Sequence, residues 1–314
     1  MIKITLKDGS IKEVEKGISV IELAKEISEG LARSATVAEV NGEIKDLRYC
    51  LEEDAKVNIL IFDNDLNGKK AYWHTTSHIM AQAVKRLFPE VKLAIGPSID
   101  EGFYYDFDVE KPFTDEDKTR IEEEMKKIIK EDLPIERFSL PREEAIALMK
   151  KKEEPYKVEL IEDLPEGEEI SFYSQGEFTD LCAGPHLMST GKVKAVKILS
   201  SSSAYWRGNE KNKMLQRIYA ISFPKTSSLE EHLKLLEEAR ERDHRKIGKE
   251  LDLFMTHQLV GSGLPMYLPK GATIRRILER YIQDKEVKMG YNHVYTPSLA
   301  NVELYKTSRT LGPL

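Results

Sequence analysis

Two stretches decide how this chain is read: Trp73-His74-Thr75-Thr76-Ser77-His78-Ile79-Met80-Ala81-Gln82-Ala83-Val84 and Phe178-Thr179-Asp180-Leu181-Cys182-Ala183-Gly184-Pro185-His186. In the first, Ile79, Met80, Ala83, Val84 and Leu87 recur at helical spacing, which predicts a helix with one apolar face. His74 and His78 then stand at i and i+4, on one side and one turn apart. The second stretch brings a thiol and an imidazole four residues apart, beside an aspartate. Three of the chain's seven His and one of its two Cys fall in these windows. Together they form a donor set soft enough for zinc. The same groups serve equally as bases, acids and donors around an ester, with no metal. The spacing is not the Cys-x-x-Cys of a structural zinc finger, so a working site is expected rather than a structural zinc.

Outward from these stretches, 314 residues give room for two or three domains. A net charge of −6 argues against a protein that coats nucleic acid indiscriminately, so any such contact should come from a local basic patch. There is no apolar run of about eighteen residues, so no membrane-spanning helix is expected. Met1 to Lys7 alternates like a strand and does not read as a signal peptide. Cys50 and Cys182 offer no disulfide framework, which fits a reducing cytoplasm.

The overall class expected is a multidomain α+β protein. Residues 1–62 read as a small β-grasp (ubiquitin-like) domain, with a hairpin at Asp8-Gly9, a helix capped by Ser19 and stopped at Gly30, and strands around an Asn41-Gly42 turn. It carries no catalytic cluster and reads as a docking module. Residues 63–224 open on a polar linker, Asp63 to Gly68, and continue as an α+β domain that holds both decisive stretches. Between them, Gly102 to Phe107 is an aromatic strand, and Thr114 with Asp117 starts a helix by a capping box. A further helix follows Pro141, and Pro155-Tyr156-Lys157-Val158 reads as an extended piece whose lysine reaches the site.

Residues 191–217 depart from the acidic balance. Lys192, Lys194, Lys197, Arg207, Lys211, Lys213 and Arg217 face only Glu210, a local excess of six positive charges. Cations interleaved with Tyr205 and Trp206 suit a single-stranded nucleic-acid end, ions for phosphate and rings for bases. A basic solvent face over a buried aromatic pair is the alternative. Residues 225–246 form a linker helix with cations in its last turns. Residues 247–314 begin a further domain, with Ile274, Ile277, Leu278, Tyr281 and Ile282 on the inner face of a helix that Gly290 ends, then a strand from Tyr291 to Pro297.

With these phrases in hand, the chain resembles the N-terminal part of bacterial-type threonyl-tRNA synthetases. The resemblance rests on the His-x-x-x-His and Cys-x-x-x-His pair, on Gly102 to Asp106, Tyr156 to Val158, Tyr205 to Gly208, Asn212 to Arg217 and Arg242 to Gly248, and runs to about Ser308. It implies a TGS-type β-grasp domain, a tRNA-editing domain and an incomplete class II synthetase catalytic domain. The family continues with Gly-His-Trp after the residues matching Thr307-Ser308, whereas this chain reads Arg309 to Leu314, so a truncated or frameshifted synthetase is expected. The family's ATP/Mg motifs and its threonine-selecting catalytic zinc site would lie further on, and ligase activity is not expected of these residues alone.

By the same resemblance, the chemistry expected is hydrolysis of serine wrongly attached to tRNA(Thr). One methylene discriminates by only about 1–3 kcal/mol, so a second sieve is needed. His74, His78, Lys157, Asp180, Cys182 and His186 are the expected catalytic set, with His74 and Lys157 near the ester and terminal ribose. Cys182, His186 and His78 would hold water or the amino acid, and Asp180 the seryl hydroxyl or amine. Tyr104 and Tyr105 would line the substrate pocket. Tyr205, Trp206, Arg207, Lys211, Lys213 and Arg217 would bind tRNA. Zinc on His74, His78, Cys182 and His186 is left open, as is a fragment that only binds the tRNA acceptor end. The expected partner is that acceptor end, with no DNA and no membrane; the full-length family is a homodimer.

Overall fold

The computed structural model describes residues 1–261, 263–297 and 299–307. The ending Arg309 to Leu314 lies outside the described residues. Two compact units divide the chain, Met1–Leu233 and Lys234–Leu314.

The first unit begins with a five-stranded mixed sheet: β1 (Ile2–Leu6), β2 (Ile11–Val14), β3 (Ala35–Val40), β4 (Glu43–Lys45) and β5 (Ala55–Ile61), in the order β2-β1-β5-β3-β4. Inward positions of β1, β3 and β5 meet Val20 and Leu23 of α1 (Val20–Ile27), whose Ser19–Glu22 capping box is formed as its sequence implies. Gly30 does not stop that helix. Ser28 ends α1 and accepts hydrogen bonds that start α2 (Glu29–Ser34), because its hydroxyl serves the free N–H groups of Gly30 and Leu31.

The expected linker is also absent. Asp65 caps α3 (Leu66–Leu87) directly, and a side chain at Gly68 would come within 2.5 Å of the Ile61 carbonyl oxygen. That close approach fixes α3 against β5, so residues 1–62 join the next layer without a flexible connection.

α3 is the spine of this layer. It packs on α4 (Asp115–Glu131), introduced by the expected Thr114–Asp117 capping box, and on the antiparallel sheet β11-β12-β7-β6. Those strands are β6 (Lys92–Leu93), β7 (Phe103–Asp108), β11 (Ala195–Tyr205) and β12 (Met214–Phe223). Phe103, Tyr105 and Phe107 alternate inward from β7 onto Ile79, Met80 and Val84 of the helix. A second antiparallel sheet orders β10 (Phe178–Leu181), β9 (Ile170–Gln175) and β8 (Ile135–Leu140), covered by α5 (Arg142–Lys151) and α6 (Pro155–Asp163). Residues 155–158 are therefore the first turn of a helix rather than extended chain. Proline at the first helical position has its φ preset and needs no donor there. The first turns of α7 (Thr226–Glu241) complete the unit, with Leu229 buried in the core and Leu233 packed against it.

The second unit holds α8 (His244–Glu250), the short pair β13 (Phe254–Met255) and β14 (Met266–Tyr267), α9 (Pro269–Lys288) and α10 (Val302–Thr307). α9 occupies the expected helix, but Ile274, Ile277, Leu278, Tyr281 and Ile282, expected inside, are exposed. Tyr291 to Pro297 is not a strand: among the described residues no partner pairs with it, and a lone strand leaves its backbone groups unmatched.

Candidate functional site

α3 presents His74 and His78 one turn apart, and β10 leads into the segment that returns Cys182 and His186 to the same place. The ligating atoms of these four residues all lie within 4.8 Å of one another. Cys182 Sγ sits 3.3 Å from His74 Nε2 and 3.2 Å from His186 Nε2, and the Gly184 N–H points at the sulfur from 3.2 Å. Gly184 has φ +75°, and a Cβ there would stand 2.2 Å from the Tyr173 hydroxyl, so only glycine fits this bend. The Gly184-Pro185 peptide is cis. His78 and His186 are buried, and His74 and Cys182 are half-buried.

Thr75 sets the protonation pattern. Its hydroxyl donates back to the Ala71 carbonyl, while the Leu187 N–H donates to it at 2.9 Å. The remaining lone pair faces His186 Nδ1 at 3.1 Å, so that nitrogen carries the proton. His186 Nε2 is then bare and accepts the Cys182 S–H; His74 in turn donates its Nε2–H to the sulfur.

Burial, then the neighbouring His78, holds His74 at about 3, and burial holds His78 at about 4. Burial followed by the other two imidazoles depresses His186 well below the usual histidine range. Burial pushes the Cys182 thiol up to about 12. At neutral pH the cluster is three neutral imidazoles around a neutral thiol, not a thiolate nucleophile.

Behind it lies a buried ion pair. Lys157 Nζ is 2.6 Å from Asp180 Oδ1, both nearly inaccessible, and the Tyr105 hydroxyl donates to Asp180 Oδ2 at 2.7 Å. Lys157 also donates to the Tyr105 oxygen. Burial raises the Asp180 carboxyl, but the Lys157 charge, the nearby His78 and the hydrogen bonds from Lys157 and Tyr105 together outweigh it and hold the group low. His78 Nε2 approaches Asp180 from 3.8 Å. Both carboxylate oxygens are engaged within the protein, so Asp180 is placed as an anchor beneath the cluster rather than as an open receptor for a seryl group.

Most of the chain also matches known proteins. Residues 2–61 match the family described as "TGS domain", and residues 170–219 match the "Threonyl and Alanyl tRNA synthetase second additional domain". The chain is 62% identical over 308 residues to the threonine–tRNA ligase of Acetivibrio thermocellus, covering 98% of this chain and 48% of that protein. It is 63% identical over 305 residues to that of Caldanaerobacter subterraneus subsp. tengcongensis, covering 97% and 47%, and 59% identical over 308 residues to that of Clostridium perfringens, covering 98% and 47%. The chain is a homologue of threonine–tRNA ligases. It spans about half the length of these relatives.

Within this homologue of the ligases, the other expected site residues separate. Tyr105 joins the buried site, but Tyr104, next to it on β7, points to the opposite face and lies under the Arg217 guanidinium, 3.7 Å from its centre. In the basic window, Trp206 is buried against Tyr156 and donates to Glu159, so it offers no open ring for stacking. Arg207 pairs with Asp163 and Glu159, Lys213 with Asp108, Arg217 with both oxygens of Asp106, and Lys197 with Glu122. The local excess of six is largely neutralised by acids from distant segments. Among the described residues, Tyr205 and Lys211 are the exposed members of the expected tRNA-binding set whose side chains enter no ion pair. The sequence reading missed Thr75, Asp46, Arg48 and Tyr173, all of which touch the Cys182–His186 segment. Among the described residues no helix is long and apolar enough to cross a membrane.

Proposed function

We propose that this site hydrolyses the ester of serine wrongly joined to tRNA(Thr), the proofreading partner of the ligase activity that its relatives' names describe. The observation that carries the reading is the convergence of His74, His78, Cys182 and His186 into one neutral cluster whose half-buried side is formed by His74 and Cys182. The terminal ribose ester enters on that side. Water attacks the ester carbonyl and gives its proton to the neutral His74 imidazole. Collapse breaks the bond to the ribose oxygen, which takes that proton and leaves as the tRNA hydroxyl, while serine leaves as the free acid. An imidazole already neutral at physiological pH need not lose a proton before it accepts one.

His74, His78, Cys182 and His186 also suit zinc by type and proximity. Bound there, zinc would supply Lewis acidity toward the ester. Among the described residues no buried side-chain nitrogen or oxygen lacks a partner. Tyr205 and Lys211 are proposed to meet the acceptor end, with cytoplasmic tRNA(Thr) as the partner. A class II catalytic region in residues 247–314 and a homodimer belong to the same proposal, as the resemblance implies.

The test is serine release from seryl-tRNA(Thr) by the purified chain and by His74→Ala, each with and without chelator. Release that survives chelator and disappears in His74→Ala is expected. Loss on chelation, restored by zinc, would replace the neutral mechanism with a metal one. Binding of the acceptor end without turnover would leave only a tRNA-binding module.

A further inference from the structure

The β-grasp layer reaches into the site, through a loop between β4 and β5 that the hydrolytic reading does not use. Arg48 Nη2 donates to the Leu187 carbonyl at 2.8 Å and Nη1 lies 3.5 Å from the His186 carbonyl. The same Nη1 pairs with Asp46 Oδ1 at 2.6 Å. The other oxygen of Asp46 accepts from the His186 N–H at 3.4 Å and from the Tyr173 hydroxyl at 3.3 Å. The two side chains are only 11% and 22% exposed, so solvent screens these contacts weakly. They hold the backbone of residues 186 and 187 from the side opposite Thr75, which grips Leu187 N–H and His186 Nδ1. Tyr173, whose hydroxyl Asp46 engages, also lies against the His186 ring, with centroids 4.4 Å apart, and fills the space that forces glycine at 184.

We infer that Asp46 and Arg48 are positioning residues for the Cys182–His186 segment, which makes the N-terminal β-grasp layer a structural part of the hydrolytic site. This rests on the proposed hydrolysis for its catalytic consequence, but the placement of Cys182 is read independently. Arg48 is suited to the role because one planar guanidinium serves two carbonyls and a carboxylate at once, which a lysine ammonium does not match. Without it, His186 loses its fixed direction toward the sulfur, and misplacement of about 1 Å at a reacting centre lowers rates on the order of a hundredfold.

The experiment uses the full chain in a Cys50→Ser background, so that Cys182 is the sole thiol. Arg48→Ala, Arg48→Lys, Asp46→Asn and Val57→Ala are compared with the parent. Val57 is a buried residue of β5, in the same core as the loop's Leu47 and Leu51, and its truncation controls for general destabilisation of that layer. Two quantities are read at a temperature where every variant is folded: the rate of Cys182 alkylation by iodoacetamide, and single-turnover release of serine from seryl-tRNA(Thr). Arg48→Ala and Asp46→Asn are expected to speed alkylation severalfold and slow release about tenfold to a hundredfold at unchanged apparent tRNA affinity, with Arg48→Lys between. Val57→Ala should lower the melting temperature and leave both rates near the parent's. Parent-like alkylation in Arg48→Ala and Asp46→Asn overturns the inference. If the parent itself releases no serine, the hydrolytic reading fails while the alkylation rates still decide the positioning role; if Arg48→Ala does not fold, Arg48→Lys and Asp46→Asn decide it.

Discussion

The histidine–cysteine cluster and the basic window at residues 191–217 were both legible as runs of suggestive residues, and folding treated them in opposite ways. Cys182 and His74 are 108 positions apart yet meet at 3.3 Å. Arg207, Lys213 and Arg217 are neighbours in sequence, yet each is claimed by a different acid from elsewhere. The lesson concerns what a local pattern can carry. Side-chain direction along a helix follows from spacing alone, so an i, i+4 pair survives folding. Net charge in a window does not, because the counter-charges arrive from segments the window cannot contain.

The sharpest way to break this contrast is to remove one partner beneath the cluster and one member of the basic window. Lys157→Met leaves the Asp180 carboxylate buried with only hydrogen-bond donors around it. A broken buried pair costs about 3–5 kcal/mol, so urea unfolding should show a loss of that size. A loss below about 1 kcal/mol would mean that water already reaches the pair. Trp206→Ala should destabilise by about 3 kcal/mol or more, as expected for a large aromatic removed from a core, whereas an exposed stacking platform would leave the melting curve unmoved.

Acid titration adds a finer comparison. His78 and His186 are buried with depressed folded values, whereas in the unfolded chain they titrate near 6.5. The unfolded state therefore binds more protons below that pH, and stability falls as the pH drops from about 6.5 toward 4. Each buried imidazole contributes up to about 1.4 kcal/mol per pH unit over that window. Denaturation midpoints that stay level between pH 7 and pH 5 would contradict the neutral buried cluster. The smallest effects belong to the exposed pairs. Lys213→Ala and Arg207→Ala should each change stability by less than about 1 kcal/mol, with thermal melts within a few degrees of the parent. A large loss in either would show that the basic window is a structural network.

How much was readable follows from the same distinction. The β-grasp order, the capping boxes at Ser19 and Thr114 and the helix of His74 and His78 rest on neighbours within a few residues. Lys157 was identified, but its backbone was not, because Pro155 admits both an extended start and a first helical turn. Gly30 misled for a related reason: Ser28 caps the next helix, and a glycine is tolerated inside a short one. Thr75, Asp46 and Arg48 were invisible as site residues because their contacts to residues 186 and 187 span more than a hundred positions. Tyr291 to Pro297 has the composition of a strand, but a strand needs a partner.

The measurement that tests the central claim most directly is the rate of amino-acid release from seryl-tRNA(Thr) beside threonyl-tRNA(Thr), by the full chain at neutral pH. A neutral cluster that accepts the smaller side chain predicts rapid serine release and little threonine release, with the rate level between about pH 5 and pH 8 because the cluster's imidazoles are held below that range. Equal release of both amino acids, or release of neither by the folded chain, would contradict the account.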